Sequence, residues 1–156
     1  MGRMKLLKPL SFEVRGIRNH NPGNVIWNGT EWDGLAECKH DGKFCVFVSP
    51  EYGIRAMVRV LRSYSKQRGV PGYGGVGIDT VYEIIMRWAP PQENETNRYV
   101  WRLASYAGVN PGEAFNVFSP KMMRRIIKGI IREENGCQPY SDALIDRAIE
   151  MENPLL

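Results

Sequence analysis

The sequence predicts a mainly α (α+β) domain with a small β-hairpin in its N-terminal third. Three observations carry this. From residue 51 onward apolar residues recur at helical spacing, residues 11–48 instead cluster Gly, Asn, Pro and Trp, and an Asp-Gly turn is followed by an apolar run. The 156 residues fit one domain, since domains of roughly 100–150 residues are the commonest size. We assign residues 1–14 to an N-terminal extension and 15–152 to the domain.

Taken in order, Arg15 to Asn24 is dense in turn formers, and Phe44 to Val48 follows Asp41-Gly42 as a strand. A two-residue Asp-Gly turn would pair His40 with Lys43 and Cys38 with Cys45. Opposed strand residues lie within disulfide reach, although two reduced, half-buried thiols are the preferred reading. Ile54, Met57, Val58 and Leu61 share a helix face that ends before a glycine-rich stretch through Gly77, read as a flexible connection. Asp79 or Thr80 caps a helix bearing Val81, Ile84, Ile85 and Trp88, closed by Ala89-Pro90-Pro91. A third helix runs from about Thr96, itself a candidate cap, to Gly108. The fourth opens at Ser119-Pro120, carries Ile126, Ile127, Ile130 and Ile131, and stops at Gly136. Ser141-Asp142 caps the last, with Leu144, Ile145, Ala148 and Ile149 facing inward.

Composition narrows the function classes. The 21 Lys and Arg against 17 Asp and Glu give +4, which favours anionic partners, but the basic residues are scattered. Arg124, Arg125, Lys128 and Arg132 read as a solvated helix face, so no nucleic-acid partner is expected. No apolar run approaches the ~20 residues that span a bilayer, so no integral membrane segment is expected, and the first ten residues lack the apolar stretch of a signal peptide. Three cysteines are too few for a disulfide scaffold, and Cys38, His40, Cys45 and Cys137 lack paired zinc-ligand spacing. Neither metal nor organic cofactor is expected, and the protein is expected to be a monomer.

Three constellations carry candidate chemistry. Glu134 prolongs the stripe of Ile127, Ile130 and Ile131, so a carboxylate emerges at the edge of the core near a helix C-terminus, where burial and the helix dipole both favour its protonated form. A general acid for glycosidic cleavage needs that environment. The helix period alone favours a plainer reading, a polar residue at a fraying end bonded to Arg132 or the following turn. The block from Trp88 to Tyr99 offers Glu93 as a second carboxylate, and Trp88, Asn94 and Tyr99 as aromatic, amide and hydroxyl groups for a sugar, or equally a structural connection. The Asn-rich turn ending in Asn24, with Trp27, Trp32 and Asp33 after it, repeats that chemistry, its indoles and amides suiting pyranose faces and N-acetyl groups, although Trp is more often half-buried core.

Together Arg15-Gly16-Ile17-Arg18-Asn19-His20-Asn21-Pro22-Gly23-Asn24, Trp32-Asp33-Gly34, Gly53-Ile54-Arg55-Ala56, the Trp88–Tyr99 block and Glu134-Asn135-Gly136 with Pro139-Tyr140 resemble a family of phage proteins. That family is described as virion structural or peptidoglycan-degrading, and the likeness spans about residues 15–149. More distantly the chain is similar to bacterial glucosaminidases of the lysozyme-like superfamily, with the acidic helix last instead of first. The resemblance implies a circularly permuted lysozyme-like helical domain in which Glu134 takes the place of the catalytic glutamate and faces the hairpin across a cleft. It implies cleavage of β-1,4 bonds between N-acetylated sugars of bacterial peptidoglycan. Glu93, Asp33 or Glu51 would be the second group, unless the substrate's own N-acetyl or 6-hydroxyl group attacks. Asn24, Trp32, Trp88, Asn94, Tyr99 and Tyr140 would hold the substrate. Synthesis in the host cytoplasm with holin-assisted action on the wall, or carriage in the virion, would follow. A non-catalytic virion or wall-binding protein is the alternative. A stem-peptide amidase or peptidase, with His20 or His40, is the third reading.

Overall fold

The computed structural model describes residues 13–90 and 95–152. The extension expected over residues 1–14 therefore falls, up to residue 12, outside the described residues, as do Glu93 and Asn94. Among the described residues six α-helices and one two-stranded antiparallel sheet follow in the order α1 (Arg15–Arg18), β1 (Leu35–His40), β2 (Cys45–Phe47), α2 (Pro50–Ser63), α3 (Val81–Trp88), α4 (Thr96–Ala107), α5 (Pro120–Asn135) and α6 (Asp142–Met151), with a 3-10 turn at Tyr64–Lys66. The protein is mainly α, as the sequence predicts. Among the described residues no helix is long and apolar enough to cross a membrane.

The helix ends follow the local chemistry read from the sequence. Thr80, Ser119 and Ser141 accept from the backbone N–H of Glu83, Met122 and Leu144, each relieving an otherwise unpaired donor of the first turn. Gly108 and Gly136 end α4 and α5 in the left-handed conformation, where a side chain would be strained. Thr96 departs from expectation. Glu95 occupies the cap position, and the Thr96 hydroxyl donates to Ala89 O at 2.8 Å, tying the start of α4 to the end of α3.

The apolar stripes converge. Ile54, Met57 and Leu61 of α2, Ile84 and Ile85 of α3, Leu103 of α4, Ile126, Ile127, Ile130 and Ile131 of α5 and Ile145 of α6 are almost wholly buried in one cluster. Each such side chain contributes about 1.5–3 kcal/mol through removal from water, and α5, with four isoleucines inside, packs against α1, α2, α4 and α6. The main helix pairings are α2 with α6 and α4 with α5. Arg124 and Lys128, expected on a solvated face, instead pair with Asp146 and Asp142 of α6 at 2.8 and 2.7 Å. A smaller cluster of Cys45, Phe47 and Ala56 seats the hairpin on α2.

The hairpin register differs from the two-residue turn. His40 opposes Cys45, Leu35 opposes Phe47, and the ladder is irregular between them. The cause is Asp41, whose Oδ1 accepts from the N–H of both Lys43 and Phe44, so residues 41–44 form a four-residue connection. Cys38 is thereby turned out to solvent and Cys45 into the core. Both remain free thiols, and burial raises the Cys45 pKa to about 11. The glycine-rich stretch is likewise more fixed than a flexible connection. Buried Glu83 accepts from Val70 N at 2.7 Å, and Arg68 bridges Gly77.

Candidate active site

The N-terminal turns are built around Asn21, which is fully buried. Its Nδ2 donates to Val25 O and Cys45 O, and its Oδ1 accepts from Val25 N. The chain between is thus closed into a tight loop against β2. Asn24 sits at the tip with φ of 52°, a left-handed conformation that asparagine tolerates better than most side chains. The loop is also fastened to the far end of the sequence, because Asn135 Nδ2 donates to Pro22 O at 2.7 Å. On the other flank Arg15 forms a bidentate pair with Asp41, and Asn19 donates to the same carboxylate at 2.8 Å. These donors hold the Asp41 carboxyl well below the usual range, the Arg15 hydrogen bond most of all.

This loop meets the last turn of α5 at Glu134. Asn24 Nδ2 donates to Glu134 Oε1 at 3.0 Å, and the Tyr99 hydroxyl donates to Oε2 at 3.1 Å. The carboxyl is half-buried rather than frayed into solvent. Burial is the largest influence on its protonation and raises its pKa. The Asn24 and Tyr99 donors oppose that shift, the Glu133 charge adds to it, and the net displacement is upward. Tyr99 itself is buried, and desolvation with the adjacent carboxylate drives its pKa far up, so it remains a neutral donor. The result is an acid that keeps its proton above the ordinary glutamate range, with two donors in place for the carboxylate left after the proton departs.

Glu134 borders a groove of about 520 Å³ between the N-terminal turns and the helices. Asn24, Trp32, Lys43 and Phe44 line one side, Tyr64, Arg87 and Trp88 the other. Glu134 also borders a cavity of about 290 Å³ with Tyr99 and the ion pairs Arg98–Glu95 and Arg102–Glu133, so it stands on the wall between two recesses. The structure therefore brings Glu134, Asn24, Trp32, Trp88 and Tyr99 together. Tyr99 lies beneath the acid, where it positions Glu134. Tyr140 is absent from the groove lining: it packs against the helical core, and its backbone exchanges hydrogen bonds with the Gln138 side chain.

The alternative carboxylates are occupied elsewhere. Asp33 pairs with Arg55 at 3.1 Å and Glu51 with Arg147 at 3.0 Å, and neither lines the groove. Among the described residues Glu134 is the one carboxylate on the larger groove. The histidines have structural partners. His20 Nδ1 contacts Phe47 O, while His40 accepts from Gly42 N and stacks on Trp27. Lys43, Phe44, Tyr64 and Arg87 are groove residues that the sequence did not reveal. Arg87 had a signal, since it precedes Trp88 in the last turn of α3.

No protein-family model matches the chain. It is 33% identical over 140 residues to Protein P5 of Pseudoalteromonas phage PM2, an alignment covering 88% of this chain and 81% of that protein. Most of both chains is thus aligned, so the likeness extends well beyond a local motif. The chain belongs to the phage protein family that includes Protein P5 of Pseudoalteromonas phage PM2.

Proposed function

We propose that this phage-family protein cleaves the glycan strands of bacterial peptidoglycan, with Glu134 as the general acid. One observation carries the reading: a half-buried carboxyl with a raised pKa, held by Asn24 and Tyr99, on the wall of an aromatic-lined groove. Trp32 and Trp88 offer faces on which pyranose rings stack, and Glu134 protonates the oxygen of the β-1,4 bond as it breaks. The conjugate carboxylate is stabilised by the two donors, then takes a proton from the group that attacks the anomeric carbon, either water or the substrate's own hydroxyl. That proton restores the acid. Action on the wall from the virion or at lysis agrees with membership of a phage family.

A latch is the competing role, in which Glu134 only fastens the Asn24 loop to α5 and the groove binds wall without cutting it. Glu134→Gln separates the two, because Gln keeps the shape and size of the side chain and one accepting oxygen while removing the transferable proton; its NH2 group can donate to the Tyr99 hydroxyl oxygen in place of the bond that Glu134 accepted. Under the acid reading, turbidity loss of purified sacculi falls by about 10²–10⁴-fold while far-UV circular dichroism is unchanged. Equal clearing by the variant, or none by the wild type, would sink the assignment. Mass spectrometry of the fragments then identifies the chemistry, since reducing ends, 1,6-anhydro ends and free amines mark hydrolysis, transglycosylation and peptide-bond cleavage respectively.

A further inference from the structure

The furrow between α4 and α5 lies outside the groove just described, yet it carries the same chemistry. A recess of about 500 Å³ there is lined by Trp101, Arg102, Tyr106, Arg132 and Glu133, and at Gly129 the lack of a side chain lets Leu103 of α4 pack directly onto α5. Trp101 is 66% exposed, although the opposite face of α4 forms core. A single exposed aromatic residue needs no explanation, but two further observations point to a ligand.

The first is continuity. The furrow shares Arg102 and Glu133 with the smaller cavity beside Tyr99, and that cavity shares Glu134 with the main groove. Three adjoining recesses thus follow one another from Trp32 and Trp88, across the wall at Glu134, to Trp101. The second is charge. Lys43 and Arg87 on one side of Glu134, and Arg132 on the other, have no carboxylate partner among the described residues. Lys43 lies over the Phe44 ring at 5.2 Å and Arg132 over the Tyr106 ring at 5.7 Å, so the first and last of these recesses each present an aromatic face beside a cation without an acidic partner.

Resting on the glycan reading of the groove, we infer that the bound strand continues past Glu134 into the α4–α5 furrow, with Trp101 as a stacking ledge and Arg132 pairing with a carboxylate substituent. The protein then grips a long anionic glycan on both sides of the bond it cuts. Internal bonds of long strands are its targets, and short oligosaccharides fill only the part nearest the acid.

The test is binding by the full-length Glu134→Gln protein, with and without Trp101→Ala, to uncleaved peptidoglycan strands and to a tetrasaccharide of the same sugars, read by calorimetry. Trp101→Ala is expected to weaken long-strand binding by roughly five- to tenfold and to leave tetrasaccharide binding unchanged. Arg132→Gln should weaken binding of muramic-acid strands but not of neutral chitin oligomers of equal length. Unchanged long-strand affinity, or equal losses at both lengths, overturns the inference. Wild-type clearing of sacculi is measured alongside. Clearing without a Trp101 effect removes the furrow and keeps the acid, whereas a length-dependent Trp101 effect without clearing removes the acid and keeps the furrow.

Discussion

Replacing Tyr99 with Phe removes one oxygen and keeps the buried ring, so it isolates the contact at 3.1 Å from the Glu134 carboxyl. A hydrogen bond to a charged group contributes about 1.5–3 kcal/mol and one between neutral groups about 0.5–1.5, so the change disfavours the ionised acid by about 1 kcal/mol more than the protonated one. Burial already raises the pKa of Glu134 and the Tyr99 donor opposes that rise; losing the donor moves it further up. If activity needs the protonated acid, the alkaline limb of the sacculus-clearing profile shifts to higher pH by somewhat under one unit. Stability follows the same sign. Above the limb, where the carboxylate is ionised, the variant loses the full charged-group contribution, and its melting temperature falls by ~3–12 °C at about 2–4 °C per kcal/mol. In acid, below the ordinary glutamate range, the loss shrinks to the neutral-bond value. A limb that stays in place or moves down, or a melting deficit larger in acid than in base, would refute the coupling between Tyr99 and Glu134.

Glu134→Gln should melt higher than wild type at neutral and alkaline pH, since a folded-state pKa raised by burial means that stability is lost as pH rises through it, and the advantage should vanish in acid. Thermal scans at two pH values decide this, and an advantage greater in acid contradicts it. Gly53→Ala should lower the melting temperature even though alanine favours helix by about 1 kcal/mol, because a methyl group at that position runs into the backbone carbonyl of His20. A variant as stable as wild type would mean that α2 and the α1 turn approach less closely than described.

Features governed by neighbouring residues were legible in the sequence. Thr80, Ser119-Pro120 and Ser141 mark helix starts through contacts three residues away, and the isoleucine stripe of α5 fixes which face of that helix is inside. Glu134 was singled out for the same reason, as an extension of that stripe. The hairpin register was not legible, because it depends on Asp41 capturing two backbone donors and pairing with Arg15, which displaces the turn expected from Asp-Gly alone. Lys43 was invisible as a groove residue because its neighbours in space come from other segments, whereas Arg87 could have been found beside Trp88 in the last turn of α3. Tyr99 was read as a hydroxyl for a sugar, whereas its ring is buried and its hydroxyl donates to Glu134, a burial that becomes apparent only once α4 lies against α5. The asparagines of the first turns looked suited to sugar amides. Asn21 instead spends its whole side chain on the backbone around it, and Asn19 serves Asp41.

The link between Asn24 and Glu134 spans 110 residues, and that between Asn135 and Pro22 spans 113. Closing so long a loop is entropically unfavourable until nearly all helical packing is in place to offset it. A chain still emerging from a ribosome therefore has no assembled acid, since its two halves have yet to meet. On the proposed function, the Asn24–Glu134 site would be assembled only once synthesis has delivered α5.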